Sequence, residues 1–594
     1  MTTKKSNRIR TALALVGASL GLCSPSFAQS IQTPGLASTT AIDLRTLDRL
    51  HAPILRSDLG LLGAQSCAAA SCHGGPHPAI AQPWVSRGAE YPLWFENDPH
   101  SKSWKTISST ESVAMMRQLK IMKGNEIVDQ KGFDNCLACH NTTKRFHEPR
   151  SSVERKEGVG CSGCHGPEEL WNGNHYQYGF DSRNSTDIGF VANEDLLTRA
   201  RTCAACHVGD QDRDMNHDII AAGHPALRYE LATFHARQPK HWRDSESADK
   251  TYYEAQLWLA GQIAAADASL SLIKTRAMNS HSISEWPELS VYDCSSCHHT
   301  LGLQNTRRTP ADGKVLAIAP LSTWNTAGLM WLIRYRLEQG QGTPEDDRLL
   351  YSLDAVREVI ESGPTPDPNL TAAIAQEARL ALAAWVDGTA GQFERASFRS
   401  ERLGNVAASA AGKSRSFDTW ESAVQLYLAA VAARESWPGG SSGPMLDVAE
   451  KLRRGLAYPQ LTSSPEFALR ARKGPTATRA EVRRSTLELV GWLGPVVLDQ
   501  EPMPAELETS PEQSKRELEL LLKQMVERRE NERKALPPAV PGAEKPMAPQ
   551  LDKDPSKPIQ PKPVQPEPAK PKPMIKPEDL LKQLEALQGD EPNE

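Results

Sequence analysis

Four pentapeptides of one pattern lie between residues 136 and 298: Cys136-Leu-Ala-Cys139-His140, Cys161-Ser-Gly-Cys164-His165, Cys203-Ala-Ala-Cys206-His207 and Cys294-Ser-Ser-Cys297-His298. Upstream, Cys67-Ala-Ala-Ala-Ser-Cys72-His73 has four residues between the cysteines instead of two. C-x-x-C-H is the attachment signal for c-type haem, in which two thiols bind the porphyrin and the histidine binds the iron. The pattern predicts five covalently attached haems c, held by these ten cysteines. Their predicted proximal ligands are His73, His140, His165, His207 and His298.

Three other uses of paired cysteines, one in zinc chemistry and two in thiol–disulfide chemistry, compete with this interpretation. Paired C-x-x-C units can bind zinc, and the gap between Cys139 and Cys161 is close to that of a zinc ribbon. The cysteines could also form disulfides, or single pairs could act as redox dithiols. Neither chemistry requires a histidine directly after every second cysteine, so the pattern favours haem.

The N-terminus has the pattern of a secretory signal. A basic segment from Lys4 to Arg10 precedes a short apolar run that ends at Leu22, and small residues follow up to Ala28. This predicts a signal peptide over residues 1–28 and a periplasmic protein. The run is too short to span a membrane, and no longer apolar run follows it, so no transmembrane span is expected in the mature chain. The net charge of −5 gives no indication of nucleic-acid binding.

Histidine and cysteine positions predict the domain organisation. All 16 histidines and all 11 cysteines precede residue 300, which predicts a lead-in at residues 29–60 and a pentahaem domain at 61–300. Residues 301–500 are rich in Ala and Leu and are broken by Gly and Pro, which predicts an all-helical domain. The fold class is therefore mainly α, with little regular sheet. Individual helices are expected near residues 101–122, 248–280, 324–337, 370–386 and 419–434.

Beyond residue 500 the sequence predicts a helix, a spacer and a second short helix. Residues 501–535 contain a helix start at Ser510 and one apolar stripe, typical of an amphipathic helix. Residues 536–577 interleave proline with charged residues, which predicts a disordered, extended linker. Residues 578–594 combine a short amphipathic helix with a tail. These segments and the helical domain are candidates for docking to a partner protein.

Eleven histidines lie outside the five motif positions, and local context selects four candidates for distal ligands. His100 follows Asp98-Pro99 at a helix start, and His175 follows the third motif by a short helical step. His217 and His224 bracket one short segment, and at least one of them is expected to bind iron. Weaker signals attach to His51, His77, His147, His235, His241, His281 and His299.

Three segments resemble the multihaem cytochromes of the cytochrome c-554 family. They are Cys161-Ser-Gly-Cys164-His165-Gly166-Pro167, Asp98-Pro99-His100, and Asn216-His217-Asp218 through Gly223-His224-Pro225. The resemblance covers roughly residues 60–300. Hydroxylamine oxidoreductase and pentahaem nitrite reductase belong to a wider group that is similar mainly in haem packing. The resemblance implies a mostly helical fold, closely packed haem pairs, electron transfer, and distal ligation by His100, His175, His217 and His224.

The sequence departs from the tetrahaem members of that family by its fifth motif and its long C-terminal additions. It also lacks the C-x-x-C-K motif of typical nitrite reductases and a tyrosine context for a hydroxylamine-oxidising crosslink. The first hypothesis is a periplasmic pentahaem protein that transfers electrons between donor and acceptor redox proteins, since doubly ligated haems only pass electrons. The alternative is a nitrogen-oxide or hydroxylamine-type oxidoreductase with one open haem. A third hypothesis treats the C-terminal half as a scaffold that carries the cytochrome.

Overall fold

A computed structural model describes residues 59–75, 88–142, 156–242, 250–278, 286–298, 319–413, 419–435, 443–456, 477, 479–491 and 493. The predicted signal peptide, nearly all of the lead-in, the 501–535 helix, the proline-rich linker and the C-terminal segment lie outside these residues. So do five of the weaker histidine candidates, namely His51, His77, His147, His281 and His299.

The half that carries the motifs consists of short helices around one long one. Its α-helices are α1 Glu90–Asn97, α2 Ser103–Ile107, α3 Thr110–Gln118, α4 Gln130–His140, α5 Cys161–His165, α6 Leu196–His207, α7 His217–Ala221, α8 Leu231–Arg237, α9 Lys250–Met278 and α10 Cys294–Cys297. Short 3-10 helices occur at Ala64–Cys67, Pro99–Lys102, Ser182–Asn184, Thr186–Ile188 and Leu289–Val291. Apart from isolated bridges, the strands among the described residues form one antiparallel hairpin of β1 Met122–Lys123 and β2 Glu126–Ile127. The predicted mainly α class is confirmed.

The single helix predicted near residues 101–122 was wrong, because the structure divides this stretch. A 3-10 turn leads into α2, which ends at Ile107, and α3 begins at Thr110. The Ser109 side chain accepts a hydrogen bond from the Ser112 backbone N–H at 3.2 Å and so caps the new helix.

Helix α9 is the central element of the described chain. Leu257, Trp258 and Leu259 are all fully buried, and three consecutive helical residues point to different sides of the axis. The helix is therefore covered all round rather than along one stripe. Helices α6 and α8 pack against it from the motif-bearing half, and helices beyond residue 320 pack against it as well.

The C-terminal half is all-helical within the described residues. Its helices are α11 Ala327–Glu338, α12 Pro344–Ile360, α13 Pro368–Asp387, α14 Thr389–Ser397, α15 Ser400–Gly412, α16 Trp420–Glu435, α17 Gly443–Leu456 and α18 Arg479–Gly491. The predicted helices near 248–280, 324–337, 370–386 and 419–434 are confirmed, with ends displaced by at most a few residues. None of the described helices combines the length and the apolarity that crossing a bilayer requires.

Backbone pairing attaches the last motif to the C-terminal helices. The Asp293 N–H donates to the Pro320 carbonyl at 2.9 Å, and the Ser322 N–H donates to the Val291 carbonyl at 2.9 Å. One hydrophobic core runs from Leu197 to Leu493, on both sides of residue 300. The domain boundary at residue 300 stays a prediction.

A buried ion cluster lies among helices α11, α12 and α14. The Arg336 guanidinium bonds Asp346 Oδ1 at 3.0 Å and Glu394 Oε1 at 2.7 Å, and all three side chains are at most 4% exposed. Trp385 Nε1 also donates to Asp346, at 2.8 Å. Charges this deeply buried are stable only when paired and hydrogen-bonded, so the cluster fixes how these helices pack.

Candidate haem-binding sites

Helical backbone places the reactive side chains of each regular motif on one face. Residues at i, i+3 and i+4 of a helix are neighbours, which is the spacing of the two cysteines and the histidine. Two motifs end longer helices, at His140 in α4 and His207 in α6, whereas α5 and α10 consist of motif residues alone. A single helical turn therefore presents two thiols and an imidazole together.

The first motif reaches a related arrangement through a turn. Cys67 ends a 3-10 helix, and the backbone N–H groups of Cys72 and Gly74 both donate to the Ala69 carbonyl, at 2.8 and 3.0 Å. The two extra residues of this motif are accommodated in that turn. None of the ten motif cysteines forms a disulfide. Within the described ranges, no group of three or more His, Cys, Asp or Glu side chains could hold a single metal ion.

Four of the five motif histidines face a histidine from outside the motifs. The ring centroids are 6.1 Å apart for His73 and His175, 6.0 Å for His207 and His100, 6.3 Å for His140 and His224, and 6.4 Å for His298 and His217. The four distal candidates selected from the sequence are therefore each brought opposite a different motif histidine.

These separations fit two imidazoles on opposite sides of one iron. A metal–imidazole nitrogen bond is about 2.0–2.1 Å long. The centroid of a five-membered ring lies roughly 1.15 Å behind that nitrogen, given ring bonds of about 1.35 Å. Two ligands on opposite sides of a metal would then have centroids about 6.3 Å apart, and the observed range is 6.0–6.4 Å. The residues present thus fit four doubly ligated haems.

Hydrogen bonds at Nδ1 hold many of these rings in position. The acceptors are Glu90 Oε2 for His73 at 3.1 Å, Asp98 Oδ1 for His100 at 2.8 Å, the Ser103 carbonyl for His140 at 3.2 Å, the Asn172 carbonyl for His175 at 3.0 Å, and the Pro225 carbonyl for His224 at 2.8 Å. A histidine that binds a metal through Nε2 characteristically donates its other N–H in this way. Nδ1 donation would leave the Nε2 lone pair available to a metal.

His235 shows the opposite pattern. Its Nε2 atom is the one that is occupied, with Arg199 Nη1 at 3.0 Å and the Tyr253 hydroxyl at 3.3 Å. The ring is buried and lies against Trp242, with the centroids 4.2 Å apart. Burial beside the Arg199 cation lowers the pKa of His235 to about 3. His235 is therefore a hydrogen-bonded core histidine.

His165 differs from the other four motif histidines in the ring that lies beside it. In the part of the chain that the structure describes, its ring contact is with Phe190, at 6.4 Å between centroids. His241 lies close enough to affect its titration, and His241 donates from Nδ1 to the Pro239 carbonyl at 3.1 Å. The described residues place no histidine ring at the 6.0–6.4 Å separation that the other four motif histidines have.

Burial and carboxylates shift the pKa values of five candidate ligand histidines in opposite directions. Burial lowers the pKa of His165 and of His207 to about 4 and also lowers that of His140. The uncharged imidazole that results is the form that binds a metal. The hydrogen bond to Glu90 instead raises the pKa of His73, and the hydrogen bond to Asp98 raises that of the distal candidate His100. A carboxylate at Nδ1 makes these two imidazoles stronger donors to a metal.

Short connections link the histidine pairs to one another. The Ser103 hydroxyl donates to the His100 carbonyl at 2.8 Å and to the His140 carbonyl at 2.9 Å. A hydrogen bond between the thiols of Cys67 and Cys161 lowers the pKa of Cys67 to about 7. His217 is the first residue of the short helix α7, and His224 follows the end of that helix. The motif sites are therefore neighbours rather than isolated sites.

Comparison with known proteins identifies the first part of this region. Residues 68–166 match the family model described as cytochrome c554 and c-prime. This segment is similar to the cytochrome c-554 family. The match spans the second and third motifs and most of the first, and the family carries covalently bound haem c and transfers electrons. No curated protein matches the chain. No solved structure matches it either.

Sequence reasoning missed several residues that hold the histidines. Glu90 is far from His73 along the chain, and no local pattern connects the two. Glu288 accepts a hydrogen bond from the His217 backbone N–H at 2.7 Å, and it too is remote in sequence. The partner of His100, by contrast, could have been predicted from the sequence. An Asp two residues before a His can both cap the helix and reach the ring.

Proposed function

We propose that the protein is a periplasmic pentahaem c-type cytochrome that transfers electrons between a donor and an acceptor protein. The ten motif cysteines attach five haems, and each iron would supply a one-electron carrier. The motif histidines are the proximal ligands. His100, His175, His217 and His224 are the distal ligands of the haems whose proximal ligands are His207, His73, His298 and His140, in that order.

The four histidine pairs are the observation that carries this proposal. Centroid separations of 6.0–6.4 Å occur between residues from different elements, and each pair joins one motif histidine with one histidine outside the motifs. Two strong axial ligands leave an iron no position for a substrate, so such haems serve electron transfer. The similarity of residues 68–166 to cytochrome c554 supports the same role.

Contacts between the sites support an order for the path of electrons. The Cys67–Cys161 thiol contact joins the first and third sites. Helices α5 and α6, which carry the third and fourth motifs, contact one another and so join the third and fourth sites. Ser103 joins the fourth and second sites, and helix α7 joins the second and fifth. Numbered by the order of their motifs along the chain, the haems would therefore follow one another in space as first, third, fourth, second and fifth.

Export and docking complete the proposal. The N-terminal signal pattern and the extracytoplasmic attachment of c-type haem favour the periplasm. The two ends of the proposed path, at Cys67 and Cys294, are the sites where donor and acceptor proteins would exchange electrons. The helical domain and the C-terminal segments after residue 500 would hold the cytochrome on its partner.

Haem counting combined with carbon monoxide binding tests the proposal. A pyridine haemochrome assay should give five haems per chain. The optical spectrum of the reduced protein should show carbon monoxide binding to at most one haem per chain. A haem count well below five, or carbon monoxide binding by two or more haems, would contradict the proposed attachment and ligation.

The environment of His165 favours a second candidate function. With Phe190 as its ring contact, the haem at Cys161 and Cys164 could keep one face open. An open iron face would support a nitrogen-oxide or hydroxylamine-type oxidoreductase, fed by the other four haems. Carbon monoxide binding by one haem equivalent, lost when Cys161 and Cys164 are replaced by alanine, would support this candidate. Absence of any carbon monoxide shift would mean that the fifth iron is also doubly ligated.

A further inference from the structure

One arginine lies between the last motif and the C-terminal helices. Arg228 Nη2 lies 3.4 Å from Cys294 Sγ, the atom that becomes a thioether sulfur when haem is attached. The same nitrogen forms an ion pair with Glu421 Oε1 at 3.1 Å. Arg228 comes from the segment before α8, and Glu421 lies in the first turn of α16.

Two tryptophans fix the Arg228 side chain. The guanidinium carbon lies 5.3 Å from the ring centroid of Trp324 and 6.0 Å from that of Trp420, and the two rings stack 5.9 Å apart. Trp324 Nε1 donates to the Tyr229 carbonyl and Trp420 Nε1 to the Leu456 carbonyl, each at 2.9 Å. Aromatic faces attract a cation at these distances, so the guanidinium is held rather than free to swing into solvent.

Glu421 is fixed equally well. Its side chain is 1% exposed. Its Oε2 atom accepts hydrogen bonds from the Ser322 hydroxyl at 2.7 Å and from the Thr323 backbone N–H at 3.0 Å. These two donors belong to the segment that pairs with Val291 and Asp293 beside the last motif. The C-terminal half thus supplies the carboxylate that holds Arg228 beside the last attachment site.

We infer that Arg228, positioned by Glu421, Trp324 and Trp420, raises the reduction potential of the haem attached at Cys294 and Cys297. The inference rests on the proposed attachment of haem at this motif. Arg228 is a positioning and electrostatic residue, and it is not a ligand.

The physical reason is the charge of the iron. The oxidised haem carries one more positive charge than the reduced haem, so a fixed cation nearby disfavours the oxidised form. An arginine does not lose its proton at any accessible pH, so the effect is permanent. Hydrogen bonds and charges next to the haem are recognised means by which a protein sets its potential. Arg228, held in place by the C-terminal half, thereby makes the last haem a better electron acceptor than it would be without this cation.

Potentiometric titration of the holoprotein and its variants tests the inference. His217→Ala removes the proposed distal ligand of the same haem. The redox component whose low-spin signal is lost in this variant is therefore that of the haem at Cys294. Arg228→Gln should shift that component to lower potential and leave the other four in place. Arg228→Lys, which keeps the charge, should restore most of the shift. Arg334→Gln removes an exposed cation of the C-terminal half and should move none of them.

The outcomes separate this inference from the proposed function. If His217→Ala opens no haem, the ligand assignment fails whatever Arg228 does. If it opens one haem, yet Arg228→Gln leaves that component unmoved or shifts it upwards with five haems bound, the inference is overturned. Arg228→Met serves where Arg228→Gln does not fold: it also removes the cation, and its apolar side chain suits the position beside the Trp324 and Trp420 rings, so the same component should fall. An unchanged potential in a folded Arg228→Met variant would also overturn the inference.

Discussion

The ring of His100 lies 6.0 Å from the ring of His207, although the second and third motifs separate them along the chain. Each ring is held from its own side. His100 is fixed by the buried Asp98 carboxylate, and His207 packs edge-on against Phe234, with the centroids 4.8 Å apart. The protein side chains alone thus hold the two imidazoles at the separation expected for two axial ligands of one iron.

Removal of a proposed distal ligand should open one haem. We expect His100→Ala, His175→Ala, His217→Ala and His224→Ala each to add about one haem equivalent of carbon monoxide binding, because an iron that loses its second imidazole exposes a face. The measurement is the carbon monoxide difference spectrum of the reduced protein. His235→Gln is the control and should add none, since His235 uses its Nε2 atom for Arg199 and Tyr253.

Asp98→Asn should raise the potential of a single haem. The carboxylate bonded to His100 Nδ1 makes this imidazole a stronger donor and favours the oxidised iron, and the amide would not. Hydrogen bonds from His100 hold the pKa of Asp98 below its ordinary value, so the carboxylate is charged at neutral pH. Potentiometry should show one component moving upwards. Asp347→Asn, an exposed residue of helix α12, should move none, and a shift of all components in either variant would contradict the prediction.

The stretched first motif should bind haem as the others do. Replacing Cys67 and Cys72 together by alanine should lower the pyridine haemochrome count from five to four per chain, and the intact mass should fall by one haem. Ser66→Ala leaves both thiols in place and should retain five. A double variant that still carries five haems would remove this motif from the account.

Loss of the buried cation Arg336 should destabilise the C-terminal half. Arg336→Met leaves Asp346 buried without its cation and leaves Glu394 paired with Arg402 alone. Breaking a buried ion pair in this way typically costs about 3–5 kcal/mol of unfolding free energy. Arg357→Gln removes the exposed pair with Asp354 and should cost at most about 1 kcal/mol. Denaturant titration followed by circular dichroism gives both values. Equal losses in the two variants would contradict the assigned role of the cluster.

Local sequence patterns predicted the elements but not the partners. The motif spacing identified the attachment cysteines as candidates because that chemistry is local, and the apolar run at 248–280 identified helix α9. The capping pattern at Ser109 was also local, but its signal was missed within an otherwise helical stretch. Which distal candidate faces which motif histidine depends on long-range packing, as with His175 and His73. The carboxylate of Glu90 and the guanidinium of Arg228 reach their sites in the same non-local way.

The most direct test of the account is the spin state of the oxidised protein. Electron paramagnetic resonance with spin quantitation should show at least four low-spin ferric haems per chain, because four irons are proposed to lie between two imidazoles. The fifth, at His165, would be either low-spin or high-spin. Two or more high-spin haems in a protein that carries all five would contradict the proposal that the four histidine pairs are ligand pairs.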